Sequence, residues 1–134
     1  MAVFQSIEEA RLFFEDDRFA TENGITLDAL TETGSTCSLI LEDHHRNAEG
    51  GVMGGVIATL IDFAFATASS NLYRPTVAQQ ISINLLNAPK GKKLTANSTC
   101  RKDGRNSCVY LVDVTDDLGR DIAQATVTGF KIRR

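Results

Sequence analysis

One acid is set apart by its neighbours. From Val52 to Ala68 the chain runs 17 residues in which Asp62 is the only charged side chain. Upstream stand Asn47, the glycine pair Gly50-Gly51 and a second pair, Gly54-Gly55. A carboxylate taken out of water is a stronger base than one left in it, and keeping one in an apolar helix calls for a partner or a task. Glycines ahead of a helix leave its first amides uncovered, and those N–H groups present a fixed positive dipole to developing negative charge. Ala58 and Ala66, one turn either side of Asp62, share its helix face, where small side chains leave room for a ligand. A base, an oxyanion donor and space beside them suit acyl-transfer chemistry.

Other chemistry-bearing residues are weaker candidates. Asp43, His44 and His45 are consecutive, so they cannot all face one metal, and no metal site is expected. A solvated loop accounts for them, with His45 at the edge of a ligand pocket as the sharper alternative. Lys90, Lys92 and Lys93, with Lys102 and Arg105, put cations at two expected turns, where they are either solvated or available to phosphates. Cys37, Cys100 and Cys108 are odd in number and lack metal-type spacing or a basic neighbour. Inert thiols in a reducing cytoplasm fit them best.

Composition limits the partners. The formal charge is −3 and the basic residues are scattered, which argues against nucleic acid and anionic membrane. The opening residues MAVFQSIEEARLFF carry Glu8 and Glu9 and no basic stretch before an apolar run, unlike a signal peptide. The 52–68 stretch approaches the length of a membrane span, but Asp62 at its middle opposes insertion.

Several elements must position these residues. Ser6 with Glu8 and Glu9 reads as a capped start to a packing helix that ends near Asp17, anchored by Phe13, Phe14 and Phe19. Ile25–Leu30 and Ser35–Leu41 read as a hairpin, and 42–51 as a loop. An apolar helix follows the second glycine pair, and being apolar on every face it is expected to be buried. After Tyr73-Arg74-Pro75 the pattern switches to period two: a strand around 80–85, another around 94–101, then Asp103-Gly104 as a hairpin turn. Ser107–Thr115, a second turn at Asp116-Asp117-Leu118-Gly119, and Asp121–Ile132 complete an antiparallel meander of four strands. One helix beside such a sheet is an α+β architecture over residues 1–134, and its open edges favour self-association.

This order, with the stretch from His45 to Ser70, resembles the hotdog fold and more narrowly the PaaI-type acyl-CoA thioesterases. The family motif stands here as Asn47-Ala48-Glu49-Gly50-Gly51-Val52-Met53-Gly54-Gly55, followed by Thr59-Leu60-Ile61-Asp62-Phe63-Ala64. The resemblance implies a single domain with an antiparallel sheet of five to six strands wrapped around one central helix. It implies hydrolysis of an acyl-CoA thioester without metal or bound cofactor, in a homodimer or homotetramer. Asp62 would be general base or nucleophile, and the Gly54 N–H the oxyanion hole. Asn47 would position thioester or water opposite an Asp62 from the other subunit. His45, Met53, Gly55, Asn84, Gly104 and Arg105 would contact substrate. Two positions depart from the pattern: Met53 replaces the family's histidine, and Ala78 or Gln79 falls where a serine or threonine often stands.

Two other classes compete. Hotdog hydratases pair a loop histidine with a helix glutamate about fourteen residues later, but that spacing from His44 or His45 lands on Ala58 or Thr59. A hotdog that only binds acyl-CoA or another small hydrophobic ligand is the non-enzymatic alternative.

Overall fold

The computed structural model describes residues 2–133. Helix α1 (Ile7–Phe14) starts as expected: the Ser6 hydroxyl accepts the Glu9 N–H, and the Glu9 carboxylate accepts the Gln5 N–H. It stops at Phe14, and a separate one-turn helix α2 (Arg18–Thr21) follows. Of the three expected anchors only Phe14 is buried; Phe13 is half-exposed and Phe19 is 76% exposed. The break between the two helices turns Phe19 outward, so it walls a cleft instead of filling the core.

Strands β1 (Thr26–Leu30) and β2 (Gly34–Ile40) form the expected hairpin. The next loop contains a single 3₁₀ turn at Asp43–His45, and helix α3 runs from Gly54 to Ser70. The second glycine pair is therefore the start of the helix, not its lead-in. Then come β3 (Thr76–Leu85), β4 (Lys93–Asp103), β5 (Ser107–Asp116) and β6 (Asp121–Lys131).

All six strands make one antiparallel sheet in the order β1-β2-β4-β5-β6-β3. The expected four-strand meander holds only for β4, β5 and β6. Strand β3 pairs with β6 at the far edge, and β4 pairs with β2. Helix α3 carries the chain across the sheet, so β3 begins at the edge opposite the first hairpin. A period-two pattern says which face a residue takes and nothing about which strand lies beside it.

The core lies between α3 and one sheet face. Ile57, Leu60, Ile61, Phe63, Phe65 and Ala68 from the helix pack with Leu39, Leu94, Tyr110, Val112, Val114 and Val127. At about 1.5–3 kcal/mol per large apolar side chain, the five large helix residues contribute on the order of 10 kcal/mol. Phe65 meets Tyr110 edge-on at 5.6 Å. It reaches β6 only because Gly129 has no side chain: a Cβ there would lie 2.6 Å from the Phe65 ring.

One expectation about α3 fails. The helix is not buried on every face: Gly55 and Asp62 are exposed, and Ala58, Thr59 and Ala66 are half-buried. These residues follow helical spacing and make one open stripe of small and polar side chains along an otherwise packed helix. No described helix is long and apolar enough to cross a membrane.

Candidate active site

The start of α3 presents unbonded amides. Met53 precedes the helix in an extended conformation (φ −65°, ψ 132°), and its N–H donates to the His45 carbonyl at 2.9 Å. The Val56 N–H closes back onto the Met53 carbonyl, which leaves Gly54 and Gly55 N–H without acceptors among the described residues. Gly54 is half-buried, and a Cβ there would meet Leu85 Cδ1 at 3.3 Å. Strand β3 thus ends beside this helix terminus.

Asn47 uses one end of its side chain to hold the glycine loop. Its Oδ1 accepts from the Glu49 and Gly51 N–H groups, both at 3.0 Å, while its own N–H donates to the Gly51 carbonyl. The side-chain Nδ2 has no acceptor among the described residues. Capping the loop and donating to a ligand therefore use different atoms, and both are open to this residue.

Asp62 sits on the open stripe, exposed and without a hydrogen-bond partner among the described residues. Desolvation by the surrounding apolar surface nevertheless raises its carboxyl above the ordinary value. It lines a cleft of about 260 Å³ with Asp17, Phe19, Thr59, Phe63 and Ala66. This cleft shares Phe19 and Thr59 with a 400 Å³ cleft that extends to Gly55, Met53 and His44. At its other end it shares Asp17 and Ala66 with a 690 Å³ cleft reaching Tyr73 and Arg74. Together they form a groove along the open stripe of α3, walled on one side by α1 and α2.

The remaining predicted contacts divide. Met53 (54% exposed) and Gly55 line the groove. His45 is 1% exposed, and both ring nitrogens are engaged: Nδ1 accepts the Glu42 N–H and Nε2–H donates to the Asn23 carbonyl. It offers a ligand no polar atom in this arrangement; His44, its ring centroid 4.1 Å away and tilted by 44°, lines the groove instead. Asn84 donates to Gln124 Oε1 across the β3–β6 pair. Gly104 and Arg105 form the β4–β5 turn, where the Arg105 carbonyl accepts from Arg133, and neither lines the groove. Of Ala78 and Gln79, the two positions matched to the family's hydroxyl residue, Gln79 falls at a β-bulge in β3 and Ala78 pairs with Gly129.

The N-terminal residues at the groove were not singled out from sequence. Asp17, Arg18 and Phe19 belong to a segment read as mere packing, and only the α1–α2 break turns them toward Asp62. Asp16-Asp17 as adjacent acids without basic neighbours one turn away is the one signal that marked the spot.

The model of the thioesterase superfamily matches residues 49–123. The chain belongs to this superfamily. The matched stretch contains α3, β3, β4 and β5, and thioester hydrolysis, the reaction expected from the sequence, is the one the superfamily is named for. The acyl-coenzyme A thioesterase PaaI of Escherichia coli is 25% identical over 117 residues, 87% of this chain and 84% of that one. A protein of Archaeoglobus fulgidus assigned as an esterase is 30% identical over 95 residues, and the match spans 70% of this chain and 62% of that protein. The solved structure of E. coli PaaI superposes with a TM-score of 0.89 at 23% identity, covering 95% of this chain and 93% of that one. A hypothetical thioesterase of Streptococcus pneumoniae solved with coenzyme A gives 0.83 at 28% identity, over 90% and 98% of the two chains. The hotdog fold and PaaI-type relationship expected of this superfamily member are both met, with six strands in the sheet.

Proposed function

We propose that the chain hydrolyses an acyl-CoA thioester to a free acid and coenzyme A, in a site shared by two copies. The observation that carries this reading is Asp62: a desolvated carboxyl with no hydrogen-bond partner, open to a groove on the helix whose N-terminal amides are also unbonded. One copy cannot bring the start and the middle of that helix to one carbonyl. Gly54 and Asp62 lie eight positions apart in α3, or ~12 Å along the axis. Reacting groups must approach within about 3–3.5 Å, so Asp62 of one copy serves Gly54 and Asn47 of the other.

Strand β3 is the element suited to join them. Its outer edge has no neighbouring strand, and its residues are exposed or half-exposed on both faces, including Val77 and Leu85. Pairing two such edges extends the sheet and covers apolar surface. Water then attacks the thioester carbonyl while Asp62 takes its proton, or the carboxylate attacks directly to give an anhydride that water opens. The carbonyl oxygen becomes an oxyanion on the Gly54 N–H, the C–S bond breaks, and the thiolate leaves with a proton. Asn47 Nδ2 donates to thioester or water. Lys90, Lys92 and Lys93, or Lys102 and Arg105, are available to the phosphates of coenzyme A.

A free-thiol assay over a panel of acyl-CoAs tests the reaction. Thiol release that survives Asp62→Ala unchanged sinks the role given to Asp62. Tight acyl-CoA binding with no release from any substrate points to the binding protein instead.

A further inference from the structure

The wall opposite α3 carries a second acid that the thioesterase chemistry does not use. Asp17 begins α2 yet makes no capping hydrogen bond with its side chain, and its carboxyl has no partner among the described residues. It lines the same 260 Å³ cleft as Asp62, and it lines the adjoining cleft as well. Burial raises its carboxyl above the ordinary value, with the nearby charges of Asp62 and then Asp16 adding to the effect. The only cation on this cleft, among the described residues, is Arg18, and its guanidinium is paired with the Glu22 carboxylate, both side chains exposed. The other walls are Phe19, Ala20, Phe63, Thr59 and Ala66, which carry no charge.

Any thioester carbonyl brought to Asp62 places its neighbouring atoms in this cleft. A group entering it meets two carboxylates, aromatic and aliphatic surface and no cation other than the Glu22-paired Arg18; Arg74 stands in the adjoining cleft, over the Phe4 and Phe13 rings. Like charges brought together in a partly desolvated cleft repel, whereas an uncharged hydrocarbon gains by burial against the phenyl rings.

We propose that Asp17 is a specificity residue of this site, one that admits uncharged acyl groups and rejects acyl groups ending in a carboxylate. The inference rests on the thioesterase reading, since it concerns what stands beside the carbonyl at Asp62. Asp17 acts on the substrate by charge alone and takes no part in proton transfer or attack.

The test compares hexanoyl-CoA with adipoyl-CoA, equal in chain length but differing by a terminal carboxylate. In the parent protein kcat/KM is higher for hexanoyl-CoA. Asp17→Asn keeps the shape of the side chain and removes its charge, and it narrows that preference about tenfold, mainly through a gain for adipoyl-CoA. Asp16→Asn makes the same charge change one residue away, off the groove, and leaves the preference within about twofold, because exposed charges there are screened. A preference unchanged in Asp17→Asn, or narrowed equally by Asp16→Asn, overturns the proposal. No thiol release by the parent protein from these two substrates or from any other acyl-CoA of the panel would refute the underlying thioesterase reading instead. A folded Asp17→Asn with a normal circular dichroism spectrum but lost activity on both substrates would also overturn it, since it would place Asp17 in the chemistry.

Discussion

Asp62 and Asp116 are the same side chain in opposite settings. Asp116, at the end of β5, is 4% exposed and accepts four backbone N–H groups: Lys90 and Gly91 on one oxygen, Leu118 and Arg120 on the other, all at 2.9–3.0 Å. These amides, Lys90 first, hold its carboxyl down at about 2. Asp62 accepts nothing, and desolvation pushes it the other way. Neither is joined to a cation by a salt bridge among the described residues, yet one is tied into the fold and the other is left free. The difference lies in the chain around them. Two turns converge on Asp116 and offer it orphan amides, whereas the middle of α3 has no spare donors, because each helical N–H already serves the carbonyl four residues back.

That contrast is open to several tests. The largest expected effect is on rate: Asp62→Asn lowers kcat/KM by about a hundred- to ten-thousand-fold, the usual worth of a positioned base. It does so without lowering the melting temperature, since the carboxylate it removes had no partner. Asp116→Asn does the reverse, with kcat/KM near the parent value and a clear fall in melting temperature. Thermal melts run beside the thiol assay check both, and a large loss of stability in Asp62→Asn would erase the contrast.

Next in size is the helix terminus. Gly54 is the first residue of α3, where proline is well tolerated, and Met53 already has the extended backbone that precedes proline. Gly54→Pro therefore folds but lacks the N–H proposed as oxyanion donor, and kcat falls about a hundred- to a thousand-fold. Unchanged turnover in a folded Gly54→Pro would remove Gly54 from the site. Asn47→Asp is smaller: it keeps the oxygen that holds the glycine loop and loses the free NH₂. A drop in kcat of about tenfold with an unchanged melting temperature is expected from the loss of one neutral donor.

The smallest effect is on acid stability. Asp116 has a folded value of about 2, below its ordinary 3.8, so its contribution is fully present above 3.8 and is lost as pH falls toward 2. The melting-temperature gap between the parent and Asp116→Asn is therefore widest near neutral pH and closes between pH 4 and 2. Asp62 has the opposite sign: with its folded value raised, it destabilises at neutral pH, and that cost disappears below 3.8. The Asp62→Asn variant is expected to gain on the parent as pH rises through the carboxylate range.

The sheet and the central helix were readable because period-two and helical patterns are local. Ser6, Asp103-Gly104 and the Asp116–Gly119 turn marked their elements through capping and turn chemistry that needs no distant partner. The position of β3 was not readable, since its alternation is the same beside β4 or β6. Phe19 looked like an anchor because hydrophobicity alone does not say which way a one-turn helix faces. Asp116 read as an ordinary turn residue, because the Lys90 and Gly91 amides that bind it come from another loop. The open stripe of α3 had a sequence trace in Gly55, Ala58, Thr59, Asp62 and Ala66, but a run this apolar masks one face of small residues. Asp62 stood out in sequence as the one charge in an apolar run and Asn47 and Gly54 were proposed through the family resemblance, whereas Asp17 reached the groove only through tertiary structure.

The central claim is that Asp62 of one copy works with Gly54 of another, and mixed dimers test it most directly. Asp62→Asn and Gly54→Pro, each inactive alone, are coexpressed with different affinity tags, and the heterodimer is purified and assayed. A heterodimer holds one site with both residues intact and one with neither, so it should recover about half of the parent activity per dimer. A purified heterodimer as inactive as its two parents would contradict the shared site.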